Sequence, residues 1–255
     1  MHITKGITTA TVALAAILLC GSVMPAAPAA AEEWGTIKGQ IIYAGDKVPD
    51  METLKVEKDT AHCLSEGPIK SERWVVDPSS KGVRWAMVFL KAPAGESLPI
   101  HDSLKTTGGE VELDQPVCRF SPHVTGVREG QKFITKNPAP IAHNVVISGV
   151  RNTYNVQVPA GGGTSNFSLV AEPGPIAVGC GAHPWMKGYV WVFKHPYFAV
   201  TDAQGRFEIK LAPIGKRNLV IWHEEAGFAS GRAGQAVEIK PGEVVDLGQI
   251  KIKSK

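Results

Sequence analysis

Apolar residues in this chain come in short, β-branched runs, and Gly, Pro, Asn or Asp cuts each of them off. The 27 glycines and 18 prolines are spread along the sequence rather than gathered in linkers. Runs of this kind, each ended by a turn residue, predict an all-β protein built of sandwiches. Gly35-Thr-Ile-Lys-Gly-Gln-Ile-Ile-Tyr43 alternates and reads as a first strand. Arg73–Val76 and Arg84–Leu90 follow as strands on either side of the turn signal Asp77-Pro-Ser-Ser-Lys-Gly82. From residue 111 onward the pattern is strand, turn, strand, with turns at Asn137-Pro-Ala-Pro140, Ala160–Thr164, Glu172-Pro-Gly-Pro175, Thr201–Gly205 and Pro213–Gly215.

The first 31 residues read as a targeting segment rather than as fold. Lys5 supplies a positive n-region, Ile7–Cys20 is apolar apart from threonines, and Pro25–Ala31 offers an A-x-A cleavage site before Glu32. A lipoprotein signal using Cys20 is the rival, and Leu19 is too large a residue for that site. No other stretch approaches the ~18 apolar residues of a spanning helix, so the processed chain is expected to be soluble, without a membrane span, and periplasmic or secreted. Loss of Lys5 takes the net charge from +3 to +2. The remaining charge shows no Lys/Arg cluster, which argues against a nucleic-acid partner. Within the rest of the chain, a boundary is expected near His195-Pro196, where the strand rhythm changes.

Cleavage leaves Cys63, Cys118 and Cys180, an odd number in an oxidising compartment. One cysteine must therefore do something other than pair. Cys180 opens the segment Cys180-Gly-Ala-His183-Pro-Trp-Met186, and an isolated His143-Asn144 lies upstream on a different expected strand. One thiolate, two imidazoles and one thioether form the donor set of a blue-copper electron-transfer site, with a trigonal His2Cys plane and a long axial Met. Zinc is the main rival, but structural zinc favours sets of cysteine and histidine without thioether. A binuclear copper site would need a second cysteine in the loop, and attached haem would need C-x-x-C-H; neither is present. The bland alternative is a buried Cys, a surface His and a core Met brought close in sequence by chance. For His143 alone that alternative is an ordinary turn histidine.

At these residues the chain resembles the cupredoxins. Its C-x2-H-x2-M loop and His183-Pro-Trp-Met186 are similar to amicyanin, and His143-Asn144-Val145 is similar to the first-ligand segment of plastocyanins and amicyanins. The resemblance covers roughly residues 110–194 and implies a Greek-key β-sandwich that holds one type 1 copper through His143, Cys180, His183 and Met186. It also implies that Asn144 hydrogen-bonds into the ligand loop. The His183 ring edge is expected to lie exposed beside Pro184 and Trp185, where a redox protein, donor or acceptor, would dock. Gly179 stands where the family usually has an aromatic residue. The tail, from Thr201-Asp-Ala-Gln-Gly-Arg-Phe207, is similar to carboxypeptidase regulatory-like (transthyretin-like) domains. The whole chain resembles bacterial proteins often labelled methylamine-utilisation or plastocyanin-like. The implied organisation is a signal peptide (1–31), an N-terminal β extension (32–109), a copper domain (110–194) and a small β-sandwich (195–255). The implied function is single-electron transport rather than catalysis, because an electron-transfer copper has no open substrate position.

Two weaker groups remain open. Cys63 and Cys118 read as a disulfide on compartment grounds; the rival is a second metal site made from His62, Cys63, Cys118 and His123. His195 and His223-Glu224 could bind a metal or carry a proton, but the plainer reading is that His195 sits at a domain junction and His223 ends a strand.

Overall fold

A computed structural model of the chain describes residue 2 and residues 33–254. Apart from residue 2, the expected signal peptide, Cys20 included, lies outside the described residues. Residues 33–254 lie in one compact unit. Among the described residues, no helix is long and apolar enough to cross a membrane.

The chain is all-β, as its punctuation predicts. In order, the elements are β1 (Trp34–Tyr43), the one-turn helix α1 (Thr60–Cys63), β2 (Met87–Lys91), β3 (Glu110–Leu113), β4 (Val124–Arg128), β5 (Lys132–Asn137), β6 (His143–Ser148), β7 (Thr153–Val158), β8 (Gly163–Ser168) and β9 (Ile176–Gly179). There follow β10 (Lys187–Phe193), β11 (Phe198–Val200), β12 (Arg206–Pro213), β13 (Gly215–His223), β14 (Gly227–Phe228), β15 (Gln235–Ile239) and β16 (Val244–Ile252).

These strands build two sandwiches. In the first, a sheet of order β4-β10-β9-β6-β7 faces β3-β5-β8. Leu113, Val127, Phe133, Val145, Ile147, Phe167, Ile176, Val178, Val190 and Val192 fill the space between them. In the second, β12-β1-β16 faces β11-β2-β13-β14, with β15 on the free side of β13. Its core holds Ile37, Ile41, Val88, Leu90, Phe207, Ile209, Leu219 and Ile221. A third apolar cluster glues the sandwiches together through Met87, Phe89, Val124, Trp191, Phe193, Val220 and Trp222.

The strands at that junction are buried on both faces. In β10, Val190 and Val192 point into the first core while Trp191 and Phe193 point into the junction. In β2 and β13 the same alternation divides Val88, Leu90, Leu219 and Ile221 from Met87, Phe89, Val220 and Trp222. A strand covered on both sides needs no polar face, which is why these segments read as unbroken apolar runs.

Residues 32–109, an N-terminal β extension whose place the sequence leaves open, are shared between the two sandwiches. β1 pairs with β12 and β16, and β2 pairs with β11 and β13, so both are strands of the second sandwich. The segment around α1 instead packs on the first, through Leu54, Val56, Cys63 and Ile69.

Candidate metal centre

The segment Cys180–Met186 closes the hairpin between β9 and β10, whose last and first residues, Gly179 and Lys187, are paired. Gly179 also pairs with Val146 of β6, and His143 is the first residue of that strand. The register therefore sets His143 and Cys180 side by side at one end of the five-stranded sheet. Within the loop, the Met186 N–H donates to the His183 carbonyl at 2.9 Å, a turn that gathers positions 180, 183 and 186.

The approach to His143 is fixed by Asn137, which in the sequence marks only a turn. Asn137 is fully buried, and its amide donates to the carbonyls of Ile141 (2.8 Å), Val158 (3.1 Å) and Pro159 (3.1 Å). Its side-chain oxygen accepts from the Ala139 N–H, the Asx turn that an Asn followed by Pro signals. Asn144 ties the other side. Its Oδ1 accepts from the Gly181 N–H at 2.7 Å and the Ala182 N–H at 3.3 Å and lies 3.3 Å from Cys180 Sγ, while its Nδ2 donates to Asn155.

Three donor atoms converge here. Nδ1 of His143 and Nδ1 of His183 are 3.0 Å apart, and Cys180 Sγ lies 3.6 Å from the latter and 4.0 Å from the former. A trigonal metal with bonds near 2.0 Å to nitrogen and 2.3 Å to sulfur sets its donors about 3.5–3.7 Å apart. The observed triangle matches this within about 0.5 Å. Two imidazole nitrogens at hydrogen-bond distance must share a proton when no cation lies between them, and a cation removes that need. All three residues are buried, so each lone pair is out of reach of water. Burial, and then the neighbouring His183, push the His143 pKa down to about 4, which keeps that ring neutral and able to ligate at ordinary pH. Met186 is buried in the same cluster as Cys180. A buried His2Cys triangle with a thioether in the same loop fits copper by its chemistry.

Not every sequence-predicted feature has the expected surroundings. His183 was expected to present a ring edge at the surface, but it is 0 % exposed. Its Nε2 lies 2.8 Å from Oδ2 of Asp59, a residue of the segment that leads into α1. The Trp185 ring covers another side, with centroids 5.2 Å apart. Pro184 is exposed and Trp185 half-buried, and both line a cavity of about 240 Å³ together with Arg73, Arg119, His123 and Lys187. Nothing in the amino-acid pattern near Asp59 announces its contact, because the partners are 124 residues apart.

Cys63 and Cys118 form a disulfide, and Cys180 is the free cysteine among the described residues. The two disulfide sulfurs and a ring nitrogen of His183 lie within 4.8 Å of one another. The rival second metal site does not assemble. Its two cysteines are bonded to each other, His62 Nε2 contacts the Pro116 carbonyl, and His123 Nε2 contacts Glu224. His195 and His223 are likewise not brought together as ligands: His195 follows β10 and its Nδ1 accepts from Tyr197 N–H, while His223 ends β13 and its Nδ1 accepts from Glu225 N–H. A Cβ built on Gly179 would meet only the Met186 carbonyl, at 3.9 Å, so no crowding demands glycine there.

No family model and no curated protein matches the chain. Among solved structures it is similar to a purple cupredoxin from Nitrosopumilus maritimus, at 20% identity and TM-score 0.29, over 32% of this chain and 98% of that one. It is similar to a Cu(I) form of a mutant of amicyanin at 19% identity and TM-score 0.29, over 42% of this chain and 98% of that one. A third likeness is to a Cu-containing nitrite reductase from Thermus scotoductus SA-01, at 21% identity and TM-score 0.28, over 40% of this chain and 24% of that one.

Proposed function

We infer that the chain is an exported mononuclear type 1 copper protein that carries single electrons between redox partners. The observation that carries this reading is the buried triangle of His143, Cys180 and His183 donors at 3.0, 3.6 and 4.0 Å. Copper held there would supply the one-electron couple between Cu(II) and Cu(I).

The chain's own residues do the rest. Asn137 fixes the turn that leads into His143 and Asn144 ties His143's strand to the Cys180 loop, so the donors keep one arrangement whichever charge lies between them. Burial excludes water from the triangle, which leaves no open position for a substrate and favours a carrier over an oxidase or reductase. Met186, buried in the same cluster as Cys180, would supply the fourth donor, a thioether. Pro184 and Trp185 form the docking surface, since Pro184 reaches solvent and the Trp185 ring lies against the ligand His183. The Cys63–Cys118 disulfide agrees with export to an oxidising compartment, the periplasm or the outside. The second sandwich acts as a stabilising module for the first, through the shared cluster around Trp191 and Trp222.

The alternative is a copper-handling module with no electron-transfer partner. The burial of His183 favours it, because the ring edge is closed to a docked protein. A reduction potential together with an electron self-exchange rate separates the two. Fast exchange supports the carrier; slow exchange with tight copper binding supports handling.

A further inference from the structure

We propose that Asp59 is a positioning residue of the metal centre: its carboxylate, set in place by a disulfide-anchored segment, orients His183 and strengthens its donor nitrogen. The inference rests on the copper reading above and extends it to a residue outside the ligand loop.

Asp59 occupies the N-cap of α1, where an aspartate ordinarily accepts a hydrogen bond from the first turn of its own helix. It makes no such bond. Its backbone is left-handed, φ 50°, a conformation that Asp tolerates but does not prefer. Both local preferences are given up, and the carboxylate instead meets His183 Nε2 at 2.8 Å. Four positions on, Cys63 is bonded to Cys118. The Cys118 carbonyl accepts from Trp185 Nε1 at 3.1 Å, and the Trp185 ring lies against His183. Asp59, the disulfide and Trp185 thus close a ring of contacts around one imidazole.

The other imidazole has no such support. His143 Nε2 is buried without a hydrogen-bond partner. The two histidines therefore enter the site unequally. A carboxylate accepting the Nε2–H of His183 leaves Nδ1 as the unprotonated nitrogen, facing Cys180 and His143, and makes it a stronger donor. A stronger donor favours Cu(II) over Cu(I), so Asp59 lowers the reduction potential and tightens Cu(II) binding.

The test compares the native chain with D59N and D59A. D59N keeps the shape and an acceptor oxygen but loses the charge. Copper-loaded D59N should keep its colour and bind Cu(II) on the order of tenfold more weakly. If Cu(I) binding is unchanged, that tenfold reads as a potential higher by about 59 mV. In the copper-free protein, the nitrogen-bound proton of His183 should give a slowly exchanging NMR signal in the native chain and in D59N, and that signal should be lost in D59A. The copper-free melting temperature of D59N checks that its fold is native. Unchanged potential and Cu(II) affinity in D59N overturn the inference alone. A native chain that takes up copper without colour overturns the copper reading, and the inference with it.

Discussion

Cys180 is the residue on which the spectroscopy turns. Replacing it with serine leaves two imidazoles able to hold copper but removes the sulfur, so C180S should bind Cu(II) and lose the intense visible band, as an optical titration would reveal. Asn144 acts one step back. N144A removes the acceptor of the Gly181 and Ala182 N–H groups, and at about 1 kcal/mol for each net hydrogen bond it should cost about 1–2 kcal/mol in chemical denaturation. Gly179 is a contrasting case: the open space around its Cβ position predicts that G179A folds and keeps the native copper spectrum. At this scale the ligand loop was legible because Cys180, His183 and Met186 sit within one turn of chain and their side chains state their own chemistry. His143 was legible through its Asn-Val continuation. Asp59 was not, because a carboxylate before a polar helix looks like a cap, and only the tertiary fold reveals that it bonds elsewhere. Asn137 left a local signal, an Asn before Pro, but that signal marks a turn and does not say that the turn aims a ligand.

Among the elements, the β9–β10 hairpin delivers the loop and the α1 segment covers it. The Cys63–Cys118 staple holds that cover over a sequence separation of 55. Chain entropy puts its contribution on the order of 4 kcal/mol. A C63A/C118A double variant should therefore lose stability of that order in a denaturant titration. It should also free Asp59 from His183, so its copper spectrum should shift as well. Most strands were legible, because turn residues bound their runs, but Arg73–Val76, expected as a strand, is a turn ending in the single bridge of Val76 with Val83, and β4 went unread because His123 and Gly126 interrupt its apolar pattern. The assignment of strands to sandwiches was not legible. β1 and β2 precede the first sandwich in sequence yet belong to the second, and the long-range pairings that decide this, such as Ile37 with Ile209 and Val220 with Phe89, have no local trace. The double burial of β10 was written in its sequence as Tyr189-Val-Trp-Val-Phe193, an apolar run whose second partner sheet only the structure identifies.

For the whole molecule, the junction between sandwiches decides cohesion. Gly126 of β4 lies so close to Phe198 that a built Cβ would come within 2.5 Å of its ring. G126A should overpack that junction and cost about 1–3 kcal/mol, readable as a lower melting temperature. Polar contacts cross the same junction. His123 meets Glu224 at 2.8 Å; burial pushes that carboxyl up, and the His123 hydrogen bond and charge outweigh burial, so its pKa is lowered overall. Two histidines nearby contribute to the response to acid, as His143 does in the copper-free protein. Burial lowers both His195 and His223 to about 4 from an ordinary value near 6.5. Between those values the unfolded chain binds protons that the folded chain refuses, so stability is complete above about pH 6.5 and is lost as pH falls toward 4. The buried His223 alone accounts for about 3 kcal/mol of that loss. Denaturation of the copper-free protein across this range checks it, and an H223Q variant should flatten the slope.

The most direct test of the central claim is the optical and EPR spectrum of the chain loaded with stoichiometric Cu(II) near neutral pH. The expected result is an intense blue or green colour from sulfur-to-copper charge transfer, with the narrow copper hyperfine splitting of a type 1 site, and the loss of both in H183A. A colourless Cu(II) complex, or a native spectrum that survives H183A, would contradict the claim.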